Sequence, residues 1–299
     1  MKRKLIALTT MIFTFLALTG ICQAQLGFRL KFTGGYGTMK AGDFNTFGEG
    51  FETFLGDYLS LAELVYGPGG EKTGEFKKIN WGIEYGGELI FNLAGPLGVG
   101  IGAGYIKRSK DSEFGISHAS FGSITASTTP ELTVIPVSLN VYLFPPSTPF
   151  LNVYVYGGVG YYIGKSTSTF RVDLELVGLP AAWEEIIGDI KDQGFGFQGG
   201  AGLELSVVPK MAFFIEGNAR SCKLKGWEGD GTYRNSFGET DQNTGTMWYY
   251  EQQDPDSGLW YPLVDISEDR PSGADVREAR EFEVDLSGIS IRAGIRIKF

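Results

Sequence analysis

The sequence is poor in the residues that most catalytic and metal sites require. Its 299 residues include two cysteines and one histidine. If Cys22 leaves with an export signal, Cys222 is the last thiol, so neither an internal disulfide nor a zinc site built on paired cysteines is expected. After Ala24, no stretch approaches about 18 consecutive apolar residues, so no membrane-spanning helix is predicted in 25–299. The sequence therefore predicts no cofactor and no bound metal.

Basic charge is also scarce. The formal net charge is −9, which argues against nucleic acid as a partner. What is abundant is glycine, with 44 residues, and aromatic side chains, at 14% of the chain. This much glycine without a collagen repeat, together with tyrosine and phenylalanine, is typical of closely packed, tightly turned strands rather than of a soluble α/β enzyme.

Residues 1–24 have the pattern of a secretory signal peptide. Three basic residues follow Met1, an apolar run covers 5–18, and small residues lead to Ala24. We expect cleavage after Ala24, which leaves 25–299 as one exported domain. A lipoprotein anchor at Cys22 is less favoured because Ile21, not a small residue, precedes it.

Alternation of apolar and polar residues after residue 25 predicts eight β-strands. Short connections at 94–96, 145–149 and 209–210 alternate with long connections, as in outer-membrane β-barrels, whose long loops all lie outside the cell. The fold class predicted is all-β: a transmembrane antiparallel up-and-down β-barrel of about eight strands. The predicted strands are 26–39, 79–93, 97–111, 130–144, 149–170, 194–208, 211–226 and 281–299.

The last strand strengthens this prediction. From Ile289 it places apolar residues on one face and Ser290, Arg292 and other polar residues on the opposite face, and it ends in Phe299. In this the chain resembles the small OmpA/OmpW-like outer-membrane β-barrel proteins, over all of 25–299. The resemblance implies a monomer in the outer membrane that contacts its lipids. It also implies that the barrel-assembly machinery reads a C-terminal signal formed by Ile295, Ile297 and Phe299.

With the apolar faces toward lipid, charges of both signs point into the barrel. An eight-stranded barrel is only wide enough for its own side chains, so we expect an ion-pair network that fills the lumen. A selectivity constriction in a channel is the alternative. Inward glycines from Gly98 to Gly104 would leave room for longer neighbours or open a narrow groove. The predicted network comprises Arg29, Lys31, Glu84, Glu88, Glu204, Glu216, Arg292 and Arg296.

The long connections carry the features that suggest function. Apolar residues at steps of three and four predict a helix from near Asp43 to Leu59, and a second short helix at 180–190. Both are expected to cover the mouth of the barrel or rest at the membrane interface, or else to gate an apolar ligand. The acidic, aromatic segment 227–280 is expected to be solvated; stacking on a sugar or holding Ca²⁺ are alternatives.

The predicted function is non-enzymatic: a structural role in the envelope, or surface interaction with an extracellular ligand at the loops. Transport of small apolar solutes is the alternative. A third possibility comes from His118, Ser120 and Glu131, which resemble the His-x-Ser and later acid of outer-membrane lipid A deacylases. These residues lie in a mid-chain Ser/Thr-rich segment rather than near the C-terminal strands, so no catalytic residue is assigned.

Overall fold

The structure is a computed structural model that describes residues 27–93, 95–146, 148 and 150–299. The predicted signal peptide and its cleavage after Ala24 lie outside these residues. All strand pairings in the described part are antiparallel, which confirms the all-β class. One helix, α1, covers Asp43–Tyr66. The strands are β1 Phe28–Thr38, β2 Glu71–Glu75, β3 Trp81–Asn92, β4 Leu97–Ser109, β5 Ser112–His118, β6 Gly122–Thr128, β7 Glu131–Leu143, β8 Leu151–Leu176, β9 Ala182–Val208, β10 Met211–Lys225, β11 Glu228–Asn235, β12 Thr240–Gln253, β13 Trp260–Ser267, β14 Val276–Glu281, β15 Glu283–Asp285 and β16 Gly288–Lys298.

Half of these strands form a closed cycle of pairings, which we call the ring. Starting from β1, each strand pairs with the next in the order β3, β4, β7, β8, β9, β10 and β16, and β16 pairs with β1 again. The register at the closing pair aligns Lys31 with Arg296 and Phe32 with Ile295. Three short segments, 93–96, 144–150 and 209–210, join consecutive ring strands at one end, together with both ends of the described chain.

The expected number of eight strands is too low for the whole sheet. The described residues form sixteen strands, because three of the four segments predicted to be long loops contain strands of their own, and the fourth, 171–193, extends β8 and β9. The hairpin of β8 and β9 stays paired from Leu151↔Leu205 out to Leu174↔Ala182, far beyond its ring neighbours. The sequence of 227–280 shows no clear period-2 alternation, because polar and aromatic residues are mixed on both faces of the strands β11 and β12.

The long hairpin supports a second region, which we call the cap sheet. Here β6, β5 and β2 add in turn to the outer part of β8, and β11, β12 and β13 add to the outer part of β9. The predicted helix at 180–190 is wrong, since residues 182–190 belong to β9. There Ile186 and Ile187 pair with Phe170 and Thr169 of β8 while β11 pairs on the other side, and this tertiary pairing overrides the local helical spacing.

Helix α1 packs against the cap sheet, and the prediction of a helix beginning near Asp43 is confirmed, although the helix is longer than expected. Its apolar face buries Phe51 and Leu55 against Phe114 and Ile116 of β5. The rings of Phe47 and Phe51 meet Phe170 edge-on at centroid distances of 4.9 and 5.0 Å. Among the described residues, no helix has the length and apolar character needed to cross a bilayer.

The start of α1 is tied to the chain that returns from the cap sheet to β16. Asp43 accepts hydrogen bonds from the Arg280 guanidinium at 2.6 Å and from the backbone N–H of Glu283 at 2.8 Å. The hydrogen bond to Asp43 raises the pKa of Arg280 above its usual value. For Glu283, burial opposes ionisation, but hydrogen bonds from Lys223 and Lys225 outweigh it and lower the pKa. These contacts hold the helix over the end of the ring.

The pairing of β16 with β1 can be tested at one glycine. A β-carbon at Gly294 would lie 1.8 Å from the Phe32 carbonyl oxygen on the neighbouring strand, so any side chain must push the two strands apart. We expect Gly294→Val to abolish the folded band that resists SDS without boiling. Gly217→Val is the matched control, because a β-carbon there meets nothing within 4 Å. Normal heat-dependent migration of the Gly294 variant would contradict the closing pair.

Candidate functional site

The inner face of the ring gathers the charged residues into three clusters. The first is centred on the Glu84 carboxylate, which is 2% exposed. It lies 2.8 Å from the Arg108 guanidinium, 3.2 Å from that of Arg220 and 2.9 Å from that of Arg292. Arg220 also donates to the Leu286 carbonyl at 2.8 Å. One carboxylate therefore holds together arginines from three strands and is the only charge of opposite sign within salt-bridge distance of each, among the described residues.

The second cluster is centred on Lys31. Its ammonium group lies 2.7 Å from Glu216 and 3.5 Å from Glu88. The Tyr142 hydroxyl donates to Glu88 at 2.5 Å, and the Tyr154 hydroxyl donates to Glu216 at 2.9 Å. Both tyrosine rings also lie within cation–π distance of the lysine. Here the two carboxylates are balanced by one ammonium and by hydroxyl donors rather than by a second cation.

The third cluster lies toward the end with the short connections. Glu204 is fully buried and forms ion pairs with Arg296 and, at 2.5 Å, with Lys298. The Arg296 guanidinium also lies 4.4 Å from the centre of the Tyr154 ring. The Arg29 guanidinium lies 4.3 Å over the Phe144 ring, so it is held by an aromatic face near this cluster. The structure thus brings the predicted lumen residues to one interior, in three separate groups.

Between the first two clusters the lumen leaves only a small space. A cavity of about 50 Å³ lies among Thr33, Ser138 and Gln198 with charged residues above and below. That volume has room for a few water molecules. The inward glycines do both of the things expected of them. A β-carbon at Gly100 would lie 2.2 Å from Glu88 and 2.9 Å from the Tyr142 ring, so this glycine makes room for neighbours, whereas Gly102 and Gly104 line the small cavity.

Apolar layers close the lumen at both ends. Toward the cap sheet, Trp227, Phe282, Leu286 and Met39 belong to one buried cluster that also includes the first turns of α1. Toward the short connections, a second cluster packs Phe214 and Ile90 with the lumen tyrosines. The first two clusters therefore lie between these apolar groups, whereas the third lies among the aromatic rings of the second group, where the Arg296 guanidinium packs on Tyr154 and Phe214.

Several members of the lumen clusters were not predicted from sequence. Arg108, Tyr142 and Tyr154 stand at inward positions of β4, β7 and β8, and simple counting in steps of two from Gly98 would have placed Arg108 inside. The tyrosines carry no charge, so the rule that places charged residues in the lumen does not identify them. Alternation places Lys298 on the polar face of the last strand, but it does not show that its partner would be Glu204, because that depends on the stagger between strands.

The C-terminal residues complete the edge of the ring. Ile295 and Ile297 pair with Phe32 and Leu30 of β1. The Phe299 ring stacks on Phe28 at a centroid distance of 4.6 Å, and its backbone N–H donates to the Phe28 carbonyl at 3.0 Å. The last residue is therefore part of the closing pair of strands.

His118, Ser120 and Glu131 do not form a catalytic group. The Nε2 atom of His118 lies 3.1 Å from the Gly67 carbonyl oxygen, and Nδ1 accepts from the backbone N–H of Ser120 at 3.1 Å. Both ring nitrogens are thus engaged by backbone groups instead of a serine hydroxyl or an acid. Glu131 begins β7, away from the hairpin tip that carries His118, and pairs with Lys107 at 2.8 Å.

The charge balance around Glu84 predicts a large effect of a small substitution. Glu84→Gln keeps the shape of the side chain but leaves three buried guanidinium groups without a counter-charge, so we expect a loss of about 3–5 kcal/mol in the free energy of unfolding. Tryptophan fluorescence during guanidinium unfolding in lipid vesicles measures it. Glu131→Gln is the control: it removes an exposed pair with Lys107 and should leave the transition unchanged. Equal transitions for both variants would contradict the central role of Glu84.

Comparison with solved structures finds distant similarities. OprG of Pseudomonas aeruginosa matches at 12% identity, covering 92% of this chain and 96% of that chain with a TM-score of 0.36. A major outer membrane protein of Thermus thermophilus matches at 12% identity, 91% and 99% coverage and a TM-score of 0.39. The Escherichia coli outer membrane protease OmpT matches at 9% identity, 94% and 100% coverage and a TM-score of 0.34. No curated protein matches the sequence significantly.

The family is established by the sequence rather than by these similarities. The profile described as "Outer membrane protein beta-barrel domain" matches residues 13–248, well over half of the chain. This confirms the likeness to small outer-membrane barrels that the final strand suggested, and it supports an outer-membrane location. The chain belongs to the outer membrane protein β-barrel domain family.

Proposed function

We propose that the chain is a monomeric, non-enzymatic outer-membrane barrel in which the eight-stranded ring crosses the bilayer. The cap sheet would then stand outside the cell and serve an envelope-structural or surface-interaction role. The observation that carries the proposal is the filled lumen: buried ion pairs, with the apolar and aromatic side chains packed around them, occupy the space that a pore would need.

The outer face of the ring supports the membrane assignment. On β7 the outward residues Ile135, Val137 and Leu139 are all exposed, although a water-soluble protein would bury such a series. On β8 the outward apolar positions run from Leu151 to Ile163, about 40 Å along the strand at roughly 3.3 Å per residue. A strand tilt of about 40° reduces this to about 30 Å, the thickness of the hydrocarbon core.

The boundary toward the cap sheet is marked by aromatic rings and then by charge. Tyr36 stacks on Trp81 at a centroid distance of 5.7 Å on the outer surface. Aromatic side chains at this height match the girdle with which transmembrane barrels meet the lipid headgroups. The next outward positions on β4 and β8 are Lys107 and Lys165, both exposed. β4 and β8 flank β7, and Thr133 of β7 pairs with both lysines, so the change from apolar to charged residues occurs at one level, as an interface requires.

The alternative function is transport of small apolar solutes. Measurements of permeability distinguish it from the proposed filled lumen. We expect purified protein in planar bilayers to give no conductance steps, and vesicles that contain it to take up small sugars and apolar amino acids no faster than empty vesicles. The physical reason is that the cavity of about 50 Å³ does not continue through the clusters around Glu84 and Lys31. Reproducible uptake by preparations shown to be folded would overturn the filled-lumen proposal.

The proposed C-terminal signal makes a separate prediction about assembly. Phe299→Asp should lower the amount of folded protein in the outer membrane, because Phe299 lies at the edge where β16 must be recruited to β1. Phe237→Asp is the matched control, since Phe237 is 81% exposed in the cap sheet connections. Membrane levels at native expression measure both. Equal levels for the two variants would remove Phe299 from the assembly signal.

A further inference from the structure

The cap sheet encloses a pocket that is separate from the lumen. It has a volume of about 330 Å³, within the range of small-molecule sites. Its walls come from five strands, β8, β9, β11, β12 and β13. The apolar part of the lining is Phe170, Ile186, Met247, Val264 and Ile266, and the polar part is Ser168, Thr232, Tyr233, Asp241, Asn243 and Asp265. We call this space the cap pocket.

Two glycines create the space. Gly188 of β9 and Gly231 of β11 face each other in register at the floor of the pocket. A β-carbon at Gly188 would come no closer than 3.4 Å to Ser168, and one at Gly231 no closer than 3.4 Å to Ile266. Neither contact forbids a side chain, and neither residue has a positive φ. Neighbouring Gly229 differs, because a β-carbon there would lie 2.0 Å from the Asp189 carbonyl oxygen.

The contrast separates structural glycines from glycines that keep a volume open. Backbone geometry requires Gly229, whereas at Gly188 and Gly231 a β-carbon would make only ordinary van der Waals contacts and a larger side chain would occupy pocket volume. Apolar side chains such as Ile186 and Val264 border this space while remaining partly exposed. A ligand that covers this apolar surface removes it from water, which makes the free energy of binding more favourable.

The charge of the lining defines the ligand further. Among the described residues, the lining includes Asp241 and Asp265 but no lysine or arginine. Asp265 lies between Val264 and Ile266 on β13, so its side chain points away from the face that these two apolar residues share, and Asp241 is the carboxylate on the pocket side. Asp241 is exposed, and it pairs in register with Tyr233 across β11 and β12, so the carboxylate and the aromatic ring stand together at the pocket edge. An acid beside an aromatic ring favours a cationic group, and the apolar walls favour a hydrophobic body.

We propose that the cap pocket binds a small hydrophobic amine, with its apolar body over Gly188 and Gly231 and its ammonium group at Asp241. The lumen below is filled, so the pocket is a binding site and not the entrance to a pore. The inference goes beyond the proposed function, because binding to the cap pocket does not depend on whether the ring conducts or on the surface role of the remaining cap sheet.

The test uses the full chain folded in lipid nanodiscs and three probes that share one apolar body: phenylbutylamine, phenylbutanol and phenylbutyrate. Calorimetric titration, with empty nanodiscs subtracted to remove partition into lipid, measures each dissociation constant. We expect the amine to bind at least about tenfold more tightly than the acid, and the alcohol to lie between them. No binding of the amine above empty nanodiscs, or equal affinity for all three probes, would overturn the proposal.

Variants locate the site. Gly188→Val should weaken amine binding about tenfold or more, because the new side chain fills the pocket. Gly157→Val is the control and should leave binding unchanged. Gly157 lies on the outer face of β8, where a β-carbon would meet only one oxygen, at 3.9 Å. Asp241→Asn should abolish the preference for amine over alcohol without loss of alcohol binding. Heat-dependent migration and trypsin resistance of the cap sheet report folding of each variant. If Gly188→Val fails to fold, the exposed Asp241 variant decides; unchanged amine preference in it would refute the site.

Discussion

Closure of the ring depends on the pairing of its first strand, β1, with its last, β16. Backbone N–H and C=O groups inside a bilayer have no water to bond to, so a sheet in lipid must have no free edge. The ring meets this requirement only because the last strand, from Gly288 to Lys298, lies in register with the first. Glycine at Gly294 lets the two backbones approach, and the stacking of Phe28 on Phe299 completes the pair. Contacts far apart in sequence thus decide whether the rest of the fold can form.

Closure of so few strands determines the chemistry of the interior. A ring of this size has no room for bulk water, so each charge that points inward needs a partner from another strand. The three clusters show different solutions. Around Glu84 several arginines share one carboxylate, around Lys31 two carboxylates share one ammonium and tyrosine hydroxyls, and Glu204 bridges two cations. The lumen therefore joins strands from around the ring through polar contacts, where a soluble protein would use an apolar core.

In the proposed membrane orientation one physical rule acts on every strand of the ring, and the ring could therefore be predicted from sequence. Lipid on one side and a packed lumen on the other impose alternation on every ring strand, and tight turns at residues such as Pro209 divide the strands clearly. The lumen members Lys31, Glu84 and Glu204 follow from that alternation. Their partners do not, because which charge meets which depends on the stagger between strands, and alternation carries no information about stagger.

The cap sheet could not be predicted from sequence for the opposite reason. Its strands do not share one environment, so no single pattern of alternation is imposed on them. Its strands face water, α1 and each other in turn, so residues 182–190 show helical spacing in the sequence and yet extend β9. The β8 and β9 hairpin extends beyond its neighbours in the ring. Its outer part therefore offers two strand edges: β6 pairs with β8, and β11 pairs with β9. Gly188 and Gly231 meet across two strands of that sheet and line the space of the cap pocket. The same hairpin thus belongs to two environments: its first half encloses a filled lumen, and its second half forms a wall of the cap pocket.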